Sequence, residues 1–132
     1  MVDSIFTKII KGDIPSFKVY EDDLTYAFLD IHPIQPGHVL VIPKKQVEFV
    51  WDLDGESYLA LMTTVKKTAQ HMKNVLEVPF IGEMVVGVDV PHAHVHLVPF
   101  TKVEQFRNVP DMSAIPDNQA LLAMAEKLRF HD

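Results

Sequence analysis

Residues 91–98 read Pro-His-Ala-His-Val-His-Leu-Val, a strict alternation of imidazole and small or aliphatic side chains. Such a stretch reads as a strand, in which side chains at i, i+2 and i+4 leave the same face, roughly 6.5–7 Å apart along it. His92, His94 and His96 then share one face, and Ala93, Val95 and Leu97 share the other. The apolar row has to be buried, which leaves the imidazoles facing a cleft or solvent. A cover for the apolar face is available. After Asp54, a residue type that caps helices, Tyr58, Leu61, Met62, Val65, Ala69, Met72 and Leu76 recur with the three-to-four spacing of one buried helical face, and Pro79 ends the run.

The remaining segments fit around that pair. Ile5, Phe6, Ile9 and Ile10 have helical spacing between Ser4, a cap, and Gly12, a stop. Phe17 to Glu21 and Thr25 to Ile31 read as strands joined at Asp22-Asp23, and His38 to Ile42 as a third strand ended by Pro43. Between them His32-Pro-Ile-Gln-Pro-Gly-His38 is a loop broken by its prolines and glycine. Ile81 to Val88 is a fourth strand and His92 to Val98 a fifth. Residues 101–116 read as irregular, and Asn118 to Arg129 as a second, shorter amphipathic helix. The expected fold class is α+β: a five-stranded antiparallel sheet, covered on one face, with one long helix and shorter flanking ones. No repeat, low-complexity tract or linker interrupts the 132 residues, so residues 1–132 read as a single domain.

Composition excludes several kinds of protein. Without a cysteine there is no disulfide, thiolate metal site or thiol catalysis. A net charge of −6 argues against a long nucleic acid as partner, which would need many Lys and Arg contacts to phosphate. It does not argue against one nucleotide, whose phosphate can be held by backbone N–H groups and a few imidazoles. No apolar run is long enough for a membrane span and the first residues lack a signal-peptide pattern, so the cytoplasm is the expected location.

Imidazole with its ordinary pKa of about 6.5 is mostly uncharged at neutral pH. A neutral ring nitrogen can attack phosphorus to give a phosphoramidate, dividing one hard displacement into two easier ones. Neighbouring imidazoles can donate hydrogen bonds to the phosphate oxygens, where charge builds. No metal or other cofactor is needed. A metal-dependent enzyme using the His-x-His-x-His strand is the competing reading, although a flat strand converges three successive side chains poorly on one ion.

His92-Ala-His-Val-His-Leu-Val98 resembles the histidine-triad motif, His-φ-His-φ-His-φ-φ with φ apolar, at every position. Ser4-Ile-Phe-Thr-Lys-Ile-Ile10, Phe28-Leu-Asp-Ile31 and Pro36-Gly-His-Val-Leu-Val-Ile-Pro-Lys44 are similar to the amino-terminal half of the Hint-like branch of that family. Residues 4–99 are covered; the tail, 100–132, is not. The resemblance implies a hydrolase of nucleoside-linked phosphates, either phosphoramidates or dinucleoside polyphosphates, working through a nucleotidyl-histidine intermediate on His94. A nucleotide-binding scaffold with little turnover is the alternative. His94 is implied as nucleophile, with its second ring nitrogen fixed by a backbone carbonyl. His96 is implied as a phosphate donor, and His92 and His38 as supporting imidazoles. Asp30 is implied to hold the ribose hydroxyls, and Ile5, Phe6, Ile9, Phe28 and Ile31 to form a slot for a purine or other base. The family also implies a homodimer.

Where family members commonly have Gly-Gln-Ser-Val or Gly-Gln-Thr-Val before the triad, this chain has Gly87-Val-Asp-Val90. Val88 cannot donate the amide hydrogen bond that Gln offers. Asp89 places a carboxyl near the leaving group, where a charge about 4 Å from phosphate would cost on the order of 4 kcal/mol at an effective dielectric of 20. Asp89 must therefore turn to solvent, pair with an imidazole, or take a proton when nucleotide binds; protonation, which would make it a donor to the leaving group, is the expectation.

Overall fold

A computed structural model describes residues 2–131. Ser4 caps helix α1 (Ile5–Ile10) by accepting the Thr7 N–H at 3.0 Å. Strands β1 (Lys18–Glu21), β2 (Thr25–Leu29) and β3 (Val39–Pro43) follow, then a 3-10 turn at Val50–Asp52. The long helix α2 (Gly55–Leu76) opens on Asp54, which accepts the Ser57 N–H at 2.7 Å, and ends at Glu77 in a left-handed conformation. Strands β4 (Phe80–Met84) and β5 (Val95–Phe100), the short helix α3 (Val103–Phe106) and helix α4 (Asn118–Leu128) complete the chain. The sheet is antiparallel throughout, in the order β1-β2-β3-β5-β4, and the fold is the α+β class expected. No described helix is long and apolar enough to cross a membrane.

Both faces of the central strands are covered, not one as expected. Every residue of β2 and β3 is buried. Ala27, Leu29, Val39, Val41, Val95 and Leu97 pack with Leu61, Val65 and Met72 of α2 and with Leu121, Ala125 and Leu128 of α4. Tyr26, Phe28, Leu40 and Ile42 face the other way and pack with Phe6 of α1. Each fully buried large aliphatic side chain on the α2 face contributes roughly 2 kcal/mol. Tyr58, expected from sequence on the helix's buried face, is exposed.

Three sequence expectations need correction. Strand β4 ends at Met84 rather than Val88, where the chain leaves the sheet toward Gly87, which has φ +77°. The fifth strand begins at Val95 rather than His92. Its pairing with β3 runs from Val39↔Leu97 to Val41↔Val95 and stops short of Pro43, which has no N–H to continue the ladder. His92 and His94 therefore stand in an unpaired segment, tied by Ala93 N–H to the Val47 carbonyl at 2.7 Å. Finally, the supposedly irregular tail contains α3. The Gln105 side chain accepts the Thr101 and Lys102 N–H groups at 2.8 and 3.1 Å, and the Phe106 ring lies against Gly82, where any Cβ would overlap it.

Candidate active site

His94 makes one short hydrogen bond, from Nδ1 to the His92 carbonyl at 2.7 Å. A carbonyl only accepts, so Nδ1 carries the proton and Nε2 keeps its lone pair. The ring is 4% exposed, with the edge of Phe6 at 5.2 Å and the His96 ring at 5.1 Å between centroids.

The same reasoning runs through the next two rings. Gly37, at φ +93° and with Leu76 and Pro99 close to where a Cβ would stand, turns the chain so that His38 enters the sheet buried. His38 Nδ1 accepts the Ile34 N–H at 3.0 Å, so its proton sits on Nε2, which donates to His96 Nδ1 at 3.0 Å. His96 is thereby left with its own proton on Nε2. Burial holds both rings down to about 4, which keeps them uncharged at neutral pH. For His96 the neighbouring imidazoles push in the same direction, and the carboxylates of Asp30 and Asp89 oppose them without prevailing.

His92 belongs elsewhere. It is fully buried, with Nε2 donating to the Pro43 carbonyl at 2.7 Å and Nδ1 facing Ser4 Oγ at 2.8 Å. Its ring does not line the cleft, so the row of three outward imidazoles expected from an ideal strand does not form. The cause is the late start of β5: without ladder bonds at 92–94, the His92 ring turns under the start of α1.

A cleft of about 310 Å³ lies against His94 and His96. It is lined by Ile5, Phe6 and Ile9 of α1, by Phe28 on β2, by Asp30 and Ile31 beyond it, and by Asp89 on the loop before the triad. The structure therefore gathers all the residues singled out from sequence except His38 and His92, which stand behind the lining. It adds Ile14, Pro15, Ser16, Leu29, Leu40, Val90 and Met112. Leu40 was open to discovery through the alternation of β3; Met112 lies in the tail, where no pattern pointed to it. Ile31 is 44% exposed, on the open side of the cleft.

Asp30 Oδ1 accepts the His32 N–H at 2.8 Å, and Oδ2 stands 3.7 Å from His38 Nε2. Burial raises the Asp30 pKa, opposed by the His32 bond and the nearby imidazoles. Asp89 is exposed and hydrogen-bonds to none of the triad rings, so pairing with an imidazole is not the arrangement adopted.

Among the described residues, Asp30, His38 and His96 bring metal-ligand atoms within 4.8 Å of one another. The donor set fits an ion badly. The His38 nitrogen that would face it carries the proton, and moving that proton to Nδ1 would point it at the Ile34 N–H. His92 and His94 are not in this group, so the His-x-His-x-His run does not converge on one point.

Comparison with known proteins agrees with this geometry. An antiparallel five-stranded α+β domain with buried imidazoles beside an apolar cleft is the architecture of histidine-triad enzymes. The family model described as HIT domain matches residues 11–103, and the chain belongs to that family and is an enzyme of it. It is 41% identical over 99 residues to the adenosine 5'-monophosphoramidase of Saccharomyces cerevisiae, a match covering 72% of this chain and 61% of that protein. It is 34% identical over 118 residues to the asymmetrical bis(5'-nucleosyl)-tetraphosphatase of Schizosaccharomyces pombe, covering 86% of this chain and 65% of that one. The crystal structure of a Hit-like protein from Bartonella henselae superposes with a TM-score of 0.82 at 34% identity, covering 96% of this chain and 95% of that one.

Proposed function

We propose that this enzyme hydrolyses nucleoside-linked phosphates through a nucleotidyl intermediate on His94. The observation that carries the reading is the 2.7 Å bond from His94 Nδ1 to the His92 carbonyl, because it leaves an unprotonated Nε2 at the wall of an apolar cleft. In the first step the Nε2 lone pair forms a bond to the phosphorus while the bond to the leaving group breaks, and the leaving group departs with the electron pair and takes up a proton from solvent. The His92 carbonyl stabilises the positive charge that appears on the ring. In the second step water attacks the phosphorus and gives up a proton to solvent, the P–N bond breaks, and the electron pair returns to Nε2 with release of a nucleoside monophosphate.

The other groups have compatible roles. His96, protonated on Nε2 by the relay from His38, donates to a phosphate oxygen without bringing a charge of its own. Asp30 Oδ2 accepts from the ribose hydroxyls, and α1 with Phe28 and Ile31 holds the base by apolar contact. Because that wall offers few polar groups, shape and stacking select the base more than its hydrogen-bonding edge does. No step requires a metal.

Asp89 sets the leaving group. Its carboxylate stands exposed at the rim of the cleft, on the loop just before the triad. An anion there repels the polyphosphate arm of a dinucleoside polyphosphate and favours an amine, which points to nucleoside phosphoramidates. The test is turnover of a nucleoside phosphoramidate by the native protein and by His94→Ala, with calorimetry of nucleoside monophosphate binding and alkaline quenching to trap the nucleotidyl-histidine. Abolished turnover with surviving binding is the expected result. Turnover by His94→Ala at the native rate would refute the covalent mechanism, and a native protein that binds without turnover would leave the scaffold reading standing.

A further inference from the structure

The nucleophile and the ring that anchors it lie in a segment without strand pairing, so something other than the sheet must hold His92. It is bolted at three points. The ring Nε2–H donates to Pro43 at the end of β3, the backbone N–H donates to the Val90 carbonyl at 2.8 Å, and Nδ1 faces the start of α1. Since Nε2 carries the proton, Nδ1 must accept, and Ser4 Oγ–H is its donor at 2.8 Å. Behind Ser4 the network closes completely. Thr7 Oγ1 lies 3.3 Å from the same Nδ1 and donates to Gln46 Oε1 at 2.6 Å. That oxygen also accepts the Ser4 N–H at 2.8 Å, and Gln46 Nε2 donates to the Val2 carbonyl at 2.9 Å.

We propose that Ser4, with Thr7 and Gln46 behind it, is a positioning residue for the His94 nucleophile, acting through the ring and carbonyl of His92. The proposal rests on His94 being the attacking group. The chain of contacts is continuous: Gln46 orients Thr7 and Ser4, Ser4 fixes the His92 ring, and the His92 carbonyl fixes His94 Nδ1–H. It also ties the nucleophile to the base slot, because Ser4 caps the helix that carries Ile5, Phe6 and Ile9, and the Phe6 ring touches both His92 and His94. The buried part of this cluster acts as a rigid strut, since rotation of the His92 ring would strand its buried bonds to Ser4 Oγ and the Pro43 carbonyl.

The experiment compares native protein with Ser4→Ala, Ser4→Thr and Thr7→Val, measuring kcat and KM on a nucleoside phosphoramidate together with the ring-nitrogen NMR signals of histidine-labelled protein. In the native protein His92 is expected to be protonated on Nε2 and His94 on Nδ1. Ser4→Ala should lower kcat by about tenfold to a hundredfold, the scale of loss that follows sub-ångström misplacement of reacting groups, and should mix the His94 tautomers. In Thr7→Val, which leaves the cap of α1 in place, KM should change by less than about threefold, whereas Ser4→Ala should also raise KM because Ser4 caps the helix that carries the base slot. Ser4→Thr, which keeps both the cap and the hydroxyl, should restore kcat. Thr7→Val leaves the cap in place and should lower kcat by a smaller factor, so it carries the test if Ser4→Ala fails to fold. Native kcat in either Ser4→Ala or Thr7→Val, or a loss confined to KM with the His94 tautomer unchanged, overturns the proposal. An inactive native protein would instead sink the hydrolase reading, and the tautomers would still decide whether Ser4 positions His94.

Discussion

The His38 ring makes stability depend on acid in a calculable way. It is 2% exposed, and burial lowers its pKa from 6.5 to about 4. In the unfolded chain it takes up a proton as pH falls through 6.5, whereas in the folded protein it resists until about 4. The unfolded state therefore binds more protons across this window, and stability present above pH 6.5 is lost as pH falls toward 4. At 1.36 kcal/mol per unit the whole window is worth about 3 kcal/mol, of which about 2 kcal/mol falls between pH 7 and pH 4.5. That is a large share of the roughly 5–15 kcal/mol that holds a small domain together. The comparison is urea unfolding of native protein and His38→Gln at both pH values. Glutamine can still donate toward His96 but cannot titrate, so the variant starts less stable and loses less. His96 titrates in both proteins and cancels to first order. The stability gap should narrow by about 2 kcal/mol at pH 4.5. Two proteins losing stability in parallel would refute the argument that burial keeps His38 neutral.

Asp30→Ala should weaken ribonucleoside monophosphates by roughly 1–3 kcal/mol, the cost of charged hydrogen bonds, and deoxynucleotides much less; equal losses in calorimetry would remove Asp30 from the sugar site. Asp89→Asn should raise the rate on dinucleoside polyphosphates relative to phosphoramidates by about two- to fivefold at low salt, an advantage that fades as salt rises; an unchanged ratio places the carboxylate outside the reaction. Among the described residues the outer edge of β4 is unpaired, and it carries Phe80, 54% exposed, beside the exposed Val85 and Val86. If a second copy covers that edge, as the resemblance implies, sedimentation should show a dimer for the native chain and a monomer for Phe80→Glu; a native monomer refutes it.

Much of the fold was legible because its signals are local. The α2 stripe, the caps at Ser4 and Asp54, and the aliphatic runs of β2 and β3 each act within a turn or a strand, and they placed those elements nearly where they stand. The errors fall where a distant partner intervenes. The length of β5 depended on Pro43, more than forty residues away in sequence, being unable to continue the ladder. Helix α3 depended on Phe106 finding the bare backbone of Gly82. Met112 reaches the cleft only because the tail folds back across Ile31, held by the bond between His32 Nε2 and the Ala114 carbonyl at 3.1 Å.

The chemistry divides along the same line. Three histidines at alternate positions, an aspartate after a strand and no cysteine are facts of sequence, and they bound the site to imidazole, carboxylate and backbone. Which nitrogen of each ring holds its proton is not written there. That choice belongs to the Ile34 N–H, the His92 and Pro43 carbonyls and the Ser4 hydroxyl, groups brought to the rings by chain folding. A neutral imidazole can carry its proton on either nitrogen, the neighbour that donates to one or accepts from the other decides which, and only the packed structure supplies that neighbour.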